Sequence, residues 1–104
     1  MASKYKVILM PRVKDDLVII LDKIAEVSLF SASVKKWNDK ILDLAFSLDF
    51  MPERFASFQG NLKYRLAKVG KYALLYHVDK DNMRVLVMRI IYARRDLKKL
   101  SLSN

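Results

Sequence analysis

Apolar positions along the chain follow two periods, and the change from one to the other falls near Pro52. Residues 5–10 (Tyr-Lys-Val-Ile-Leu-Met) are aromatic and β-branched, which predicts a strand. Pro11 follows, at the point where a helix tolerates a missing N–H. Val13, Leu17, Ile20, Ile24 and Val27 then recur in steps of three and four, with Asp15, Asp16 and Asp22 between them. This spacing predicts an amphipathic helix with its acidic residues toward the positive end of the helix dipole. Residues 28–33 break the pattern, and Ser31 or Ser33 is placed to cap a second helix. The apolar stripe of that helix is Val34, Trp37, Ile41, Leu44 and Leu48, with Lys35, Lys36, Asp39, Lys40 and Asp43 opposite. It should stop near Met51, because Pro52 disfavours helical geometry in the residue before it. Two helices joined by so short a connection read as an antiparallel hairpin.

Beyond Pro52 the period becomes two. Residues 61–68 predict a strand, Val69-Gly70 a turn, and residues 71–78 a second strand. Residues 79–82 (Asp-Lys-Asp-Asn) form a polar turn. Residues 83–92 are nearly continuous in apolar character, as in a central strand or one covered on both faces. Residues 94–100 read as a short C-terminal helix. The order β-α-α-β-β-β describes an α+β fold, a helical hairpin packed on a mainly antiparallel sheet. With no repeat or linker, residues 1–104 form a single domain.

Charge sharpens this picture. The net charge is +9, and it is segregated. Residues 1–52 hold eight Lys/Arg against seven Asp/Glu, whereas residues 53–104 hold twelve against four. Positive charge gathered in one half predicts a polyanionic partner, nucleic acid or acidic protein. The chain has no cysteine, so disulfides and thiolate chemistry are excluded. A single histidine and carboxylates interspersed with lysines do not make a metal site, and no phosphate-cradling glycine loop is present. No cofactor is expected. No apolar run approaches the ~20 residues of a membrane span or forms a signal-peptide core, so the expectation is a soluble, cytoplasmic protein away from membranes.

The second half also carries motifs in a telling order: Tyr64-Arg65-Leu66, then Gly70-Lys71-Tyr72-Ala73-Leu74-Leu75-Tyr76-His77-Val78-Asp79, then Val87-Met88-Arg89-Ile90-Ile91-Tyr92-Ala93-Arg94-Arg95-Asp96-Leu97. Preceded by Pro52-Glu53-Arg54-Phe55, they resemble the RelE/ParE superfamily of bacterial toxins over nearly the whole chain. That resemblance implies the toxin of a type II toxin–antitoxin pair, the kind of module known for plasmid stabilization. It implies an acidic, partly disordered antitoxin as partner. RelE-like members are ribosome-dependent mRNA endoribonucleases, and ParE-like members inhibit DNA gyrase without catalysis. The expectation is the ribonuclease, acting on mRNA at the ribosome, with the gyrase inhibitor as the alternative.

Metal-independent RNA cleavage uses the substrate's 2′-OH as nucleophile. The protein must remove that proton, stabilise charge on phosphorus and protonate the leaving oxygen. Lys63 and Arg65 alternate along a strand and so share a face. With Arg94 and the lone His77, they are the catalytic candidates. Lys68, Lys71, Arg89, Tyr92 and Arg95 are candidates for nucleic-acid contact. Arg89 shares the parity of Val85 and Val87, and His77 is opposite in parity to Tyr72, Leu74 and Tyr76. Each of these residues also fits a structural role: Lys63 and Arg65 as the solvated side of an edge strand, Arg89 paired with a carboxylate, Tyr92 in packing. One position departs from the RelE-like pattern. Ala73 stands just beyond the first aromatic after the turn, where those ribonucleases generally carry arginine.

Overall fold

In the computed structural model the described residues are 4–28, 31–59 and 61–93. The expected C-terminal helix, with Arg94 and Arg95, lies outside them. The chain begins with β1 (Lys6–Leu9), and Pro11 opens α1 (Pro11–Val27) with no side-chain cap. Val13, Ile20 and Ile24 are buried as their spacing requires. The stripe ends there, and Val27 is 85% exposed. The acidic residues are not in the first turn, so the helix dipole does not account for their placement. Asp16 corrects the expectation of a polar outer face outright, since it is only 8% exposed.

The second helix, α2 (Ser31–Ser47), stops a turn before Pro52. Arg54 provides the physical reason. Its Nη1 donates to the carbonyls of Phe50 (2.7 Å), Met51 (3.2 Å) and Ser47 (3.3 Å), and its Nη2 to Ser47 Oγ (2.8 Å). These bonds satisfy carbonyls that a helix end leaves without partners. The chain turns through Met51 in the left-handed region, φ 46°, into a 3-10 turn at Pro52–Arg54.

A five-stranded sheet follows: β2 (Ser57–Phe58), β3 (Asn61–Val69), β4 (Tyr72–Asp79) and β5 (Arg84–Tyr92), in the order β1-β5-β4-β3-β2. β1 pairs with β5 in parallel, and every other pair is antiparallel. The two-residue β2 was not expected, being too short to show a period. The hairpin between β3 and β4 turns at Gly70, φ +58°. A Cβ there would lie 2.5 Å from Trp37 Cη2, so glycine is required both by the turn and by the ring of α2 above it.

The helices cover one face of the sheet. Ile41 and Ala45 of α2, with Leu48 just after it, join Ala67, Leu74, Tyr76, Val85 and Val87 in a core closed to solvent. Each fully buried aliphatic side chain contributes roughly 2 kcal/mol. On β5 the alternation fails at one point. Leu75 pairs with Arg89 and Tyr76 with Val87, so Met88 is the extra residue of a β-bulge. Val87 therefore faces the helices with Tyr76, while Arg89 turns to the other face with Leu75. This corrects the shared parity expected for Arg89 and Val87.

Candidate functional site

The sheet's other face carries the chemistry. Register places Leu66 beside Leu75, Lys68 beside Ala73, Leu75 beside Arg89 and His77 beside Leu86. Tyr64 continues the row, its ring 6.4 Å from that of His77 in an edge arrangement. His77 Nδ1 lies 2.8 Å from the Lys63 carbonyl. A carbonyl only accepts, so Nδ1 carries the hydrogen and a neutral ring keeps Nε2 as its acceptor. The Lys63 ammonium sits 5.4 Å from the Tyr64 ring centroid, a cation–π placement. Lys63, Tyr64 and His77 thus form one cluster. Lys68 lies farther along the same face, exposed, and Lys71 is exposed at the turn, where its carbonyl accepts from Ala93 N–H at 2.8 Å.

Arg65 does not join that cluster. It pairs with Tyr76 and so lies on the helix side of the sheet. Its Nη1 donates to the carbonyls of Phe55 (2.6 Å) and Glu53 (3.2 Å), and its Nη2 is 3.7 Å from Glu53 Oε2. Lys80 reaches the same carboxylate oxygen at 3.2 Å. Beside it, the Tyr76 hydroxyl donates to the Pro52 carbonyl at 2.5 Å. Burial pushes the Tyr76 phenol up to about 12, against the opposing pull of Arg65 and Arg54. Arg65 and Tyr76 together fasten the segment after α2 to the sheet.

Arg89 is likewise engaged. Its Nε and Nη2 meet Asp16 Oδ2 and Oδ1 at 2.8 and 3.1 Å, and Asp16 Oδ2 also accepts from the Ile90 N–H at 2.9 Å. Tyr92 packs against Tyr72, ring centroids 5.8 Å apart, and Tyr72 packs against Trp37 at 5.4 Å. Ala73 is fully buried. At the β4–β5 turn, hydrogen bonds from Arg84 and then Asn82 hold the Asp79 carboxyl below the usual carboxylate range.

Between the start of α1 and the bulge lies an open cleft of about 580 Å³. Leu75, Met88 and Arg89 belong to the sheet side, Met10, Pro11, Arg12 and Asp15 to the α1 side, and Tyr64 to β3. The sequence reading missed Asp16 and Tyr64. For Asp16 a signal was present, since it stands three residues after Val13 and four before Ile20, on the buried stripe. Among the described residues no cluster of three His, Cys, Asp or Glu could hold a metal, and no helix is long and apolar enough to cross a membrane.

Two solved structures share this architecture. One is the RelBE2 toxin–antitoxin complex of Mycobacterium tuberculosis, with TM-score 0.62, 22% identity, and 86% of this chain and 92% of that one covered. The other is the chromosomal ParDE toxin–antitoxin system of P. aeruginosa, with TM-score 0.71, 13% identity, and 86% and 96% covered. The fold is that of the RelE/ParE superfamily. The sequence narrows this further: residues 7–97 match the ParE toxin of the type II toxin–antitoxin system parDE, and the chain belongs to that family. No curated protein matches it.

Proposed function

We propose that this toxin arrests growth by binding its target, in the ParE-like manner directed at DNA gyrase, rather than by cutting RNA. The observation that carries this is the engagement of Arg65. A phosphoryl transition state needs cations free to meet developing charge, yet this guanidinium is 22% exposed and bonded to Phe55 and Glu53. Ala73, buried and uncharged, supplies no substitute. The exposed Lys63, Lys68 and Lys71 remain as a basic surface suited to holding an anionic or acidic partner. The restraining partner is an acidic, partly disordered antitoxin, which orders as it binds.

One observation favours the ribonuclease instead. The Lys63 carbonyl fixes the tautomer of His77, as a general base requires. The two readings separate on induction of the chain in a bacterium without antitoxin, with transcript ends and gyrase-linked DNA breaks mapped in the same culture. Gyrase-dependent breaks with intact transcripts are expected. New transcript ends in translated regions, lost in His77→Gln, would replace the proposal with ribosome-dependent mRNA cleavage.

A further inference from the structure

Three N–H donors converge on one carboxylate at the point where β1 ends. β1 pairs with β5 only as far as Leu9 and Val87, so the Ile90 N–H lies beyond the end of that strand. Arg89 Nε and the Ile90 N–H both meet Asp16 Oδ2, at 2.8 and 2.9 Å, and Arg89 Nη2 meets Oδ1 at 3.1 Å. Two edge donors of an arginine with a main-chain N–H beside them form a set suited to a phosphate as much as to a carboxylate. Here the chain itself supplies the occupant.

Asp16 stands apart on its own helix. The other buried positions of α1 are Val13, Ile20 and Ile24, and among the described residues Asp16 is the one buried charged side chain. Stability does not require it, since apolar residues of similar volume often hold such a place as well as an ion pair does. The first turn of α1 has no side-chain cap, so these three bonds are part of what ties this end of the helix to β5. A path to the donors exists. Arg89 is 39% exposed and lines the open cleft of about 580 Å³, with Arg12 and Asp15 on its α1 side. While Asp16 is in place the charges there balance. With Asp16 withdrawn, two arginines stand against one carboxylate, and the cleft becomes a place for an anion.

We propose that Arg89 and the Ile90 N–H form a phosphate-type oxyanion site that Asp16 keeps closed, an autoinhibitory contact between α1 and β5. An incoming tetrahedral oxyanion and the Asp16 carboxylate compete for one set of donors, so the site opens only as the start of α1 lifts. Inorganic phosphate and the phosphodiester of a nucleic acid present the same oxygens to it. The site does not depend on how the toxin acts on its target.

The test compares the full chain with Asp16→Ala, which empties the site, and Asp15→Ala, which removes an equal charge from the cleft and leaves the donors occupied. Thermal unfolding is followed in chloride and in inorganic phosphate at matched ionic strength, with a short oligouridylate as a second arm. Phosphate stabilises folded proteins in general, so the readout is the gain of each variant beyond that of the parent. Asp16→Ala is expected to gain and Asp15→Ala is not. In ¹⁵N spectra of Asp16→Ala the Ile90 amide and Arg89 Nε signals should move saturably, with an apparent Kd at least ~10-fold below the parent's, because the parent must first open. Asp16→Asn, which keeps the size of the side chain, serves the same titration if the alanine variant is too unstable to label. Adding Arg89→Gln should remove the response. A gain in phosphate alone identifies the free ion as the ligand, and a larger gain in oligouridylate at equal phosphate content identifies a nucleic-acid backbone. The proposal is overturned if Asp16→Ala gains no more than the parent in either arm, if Asp15→Ala gains as much, or if the parent binds phosphate at Arg89 as tightly as the variant does.

Discussion

Asp16 and Arg89, 73 residues apart, meet through two hydrogen bonds of 2.8 and 3.1 Å, and the same carboxylate accepts the Ile90 N–H. One side chain thus ties α1 to both the side chain and the backbone of β5. The Ile90 N–H is buried but the Arg89 side chain is 39% exposed, so water replaces part of what the guanidinium loses, and removal of the charged acceptor costs roughly 1–2 kcal/mol. Asp16→Ala should lower the urea midpoint accordingly, and Asp16→Asn, which keeps an acceptor oxygen but not the charge, should fall between. Equal stability of all three proteins would show that the pair is incidental.

Tyr76 predicts an alkaline limit to stability. An unfolded tyrosine releases its proton near pH 10, and the folded one does so at about 12. Between these values the unfolded chain binds fewer protons, so stability falls as pH rises; below pH 10 the contribution is fully present. The slope should reach at most about 1.4 kcal/mol per pH unit. Tyr76→Phe should flatten unfolding free energy across that window. At neutral pH it should cost about 1 kcal/mol, because the Pro52 carbonyl loses its donor. An unchanged alkaline slope in the phenylalanine variant would refute the assignment.

What the sequence disclosed, and what it hid, follows from the range of each interaction. Val13, Ile20, Ile24, Ile41 and Leu48 were legible because burial on a helix repeats at a fixed step. The parity of His77 against Tyr76 was legible for the same reason in a strand. The bulge at Met88 was not, since one inserted residue leaves every local preference satisfied while reversing the face of Arg89. The engagement of Arg65 was hidden too, because its acceptors are backbone carbonyls of Glu53 and Phe55, which any residue type would provide. Alternation placed Lys63 and Arg65 together, but the long side chains diverge, one toward Tyr64 and one under the 3-10 turn.

That divergence makes the two residues separable by experiment. Arg65→Ala should destabilise the fold by roughly 2 kcal/mol, since charge-assisted bonds to part-buried carbonyls are lost. Lys63→Ala, an exposed change, should stay within about 0.5 kcal/mol of the parent. Thermal unfolding of the two single variants decides the matter. A neutral Arg65→Ala would remove the structural role on which the binding-type mechanism rests.

Gly70 offers the sharpest separation of two local causes. Its φ of +58° is costly for any residue with a Cβ, by about 1–2 kcal/mol. Independently, that Cβ would stand 2.5 and 3.0 Å from Cη2 and Cζ3 of Trp37. An indole ring does not yield as a flexible chain does, so the ring must move and disturb its edge contact with Tyr72, now 5.4 Å at 83°. Gly70→Ala should therefore lose more than backbone strain alone predicts, on the order of 3 kcal/mol. Gly70→Asn distinguishes the causes, because asparagine tolerates the left-handed region but still carries a Cβ. If the ring contact dominates, Asn and Ala should be comparably unstable, and both should shift the fluorescence of the single tryptophan in the folded state. An Asn variant close to the parent, with unshifted fluorescence, would mean that backbone conformation alone selects glycine at this turn.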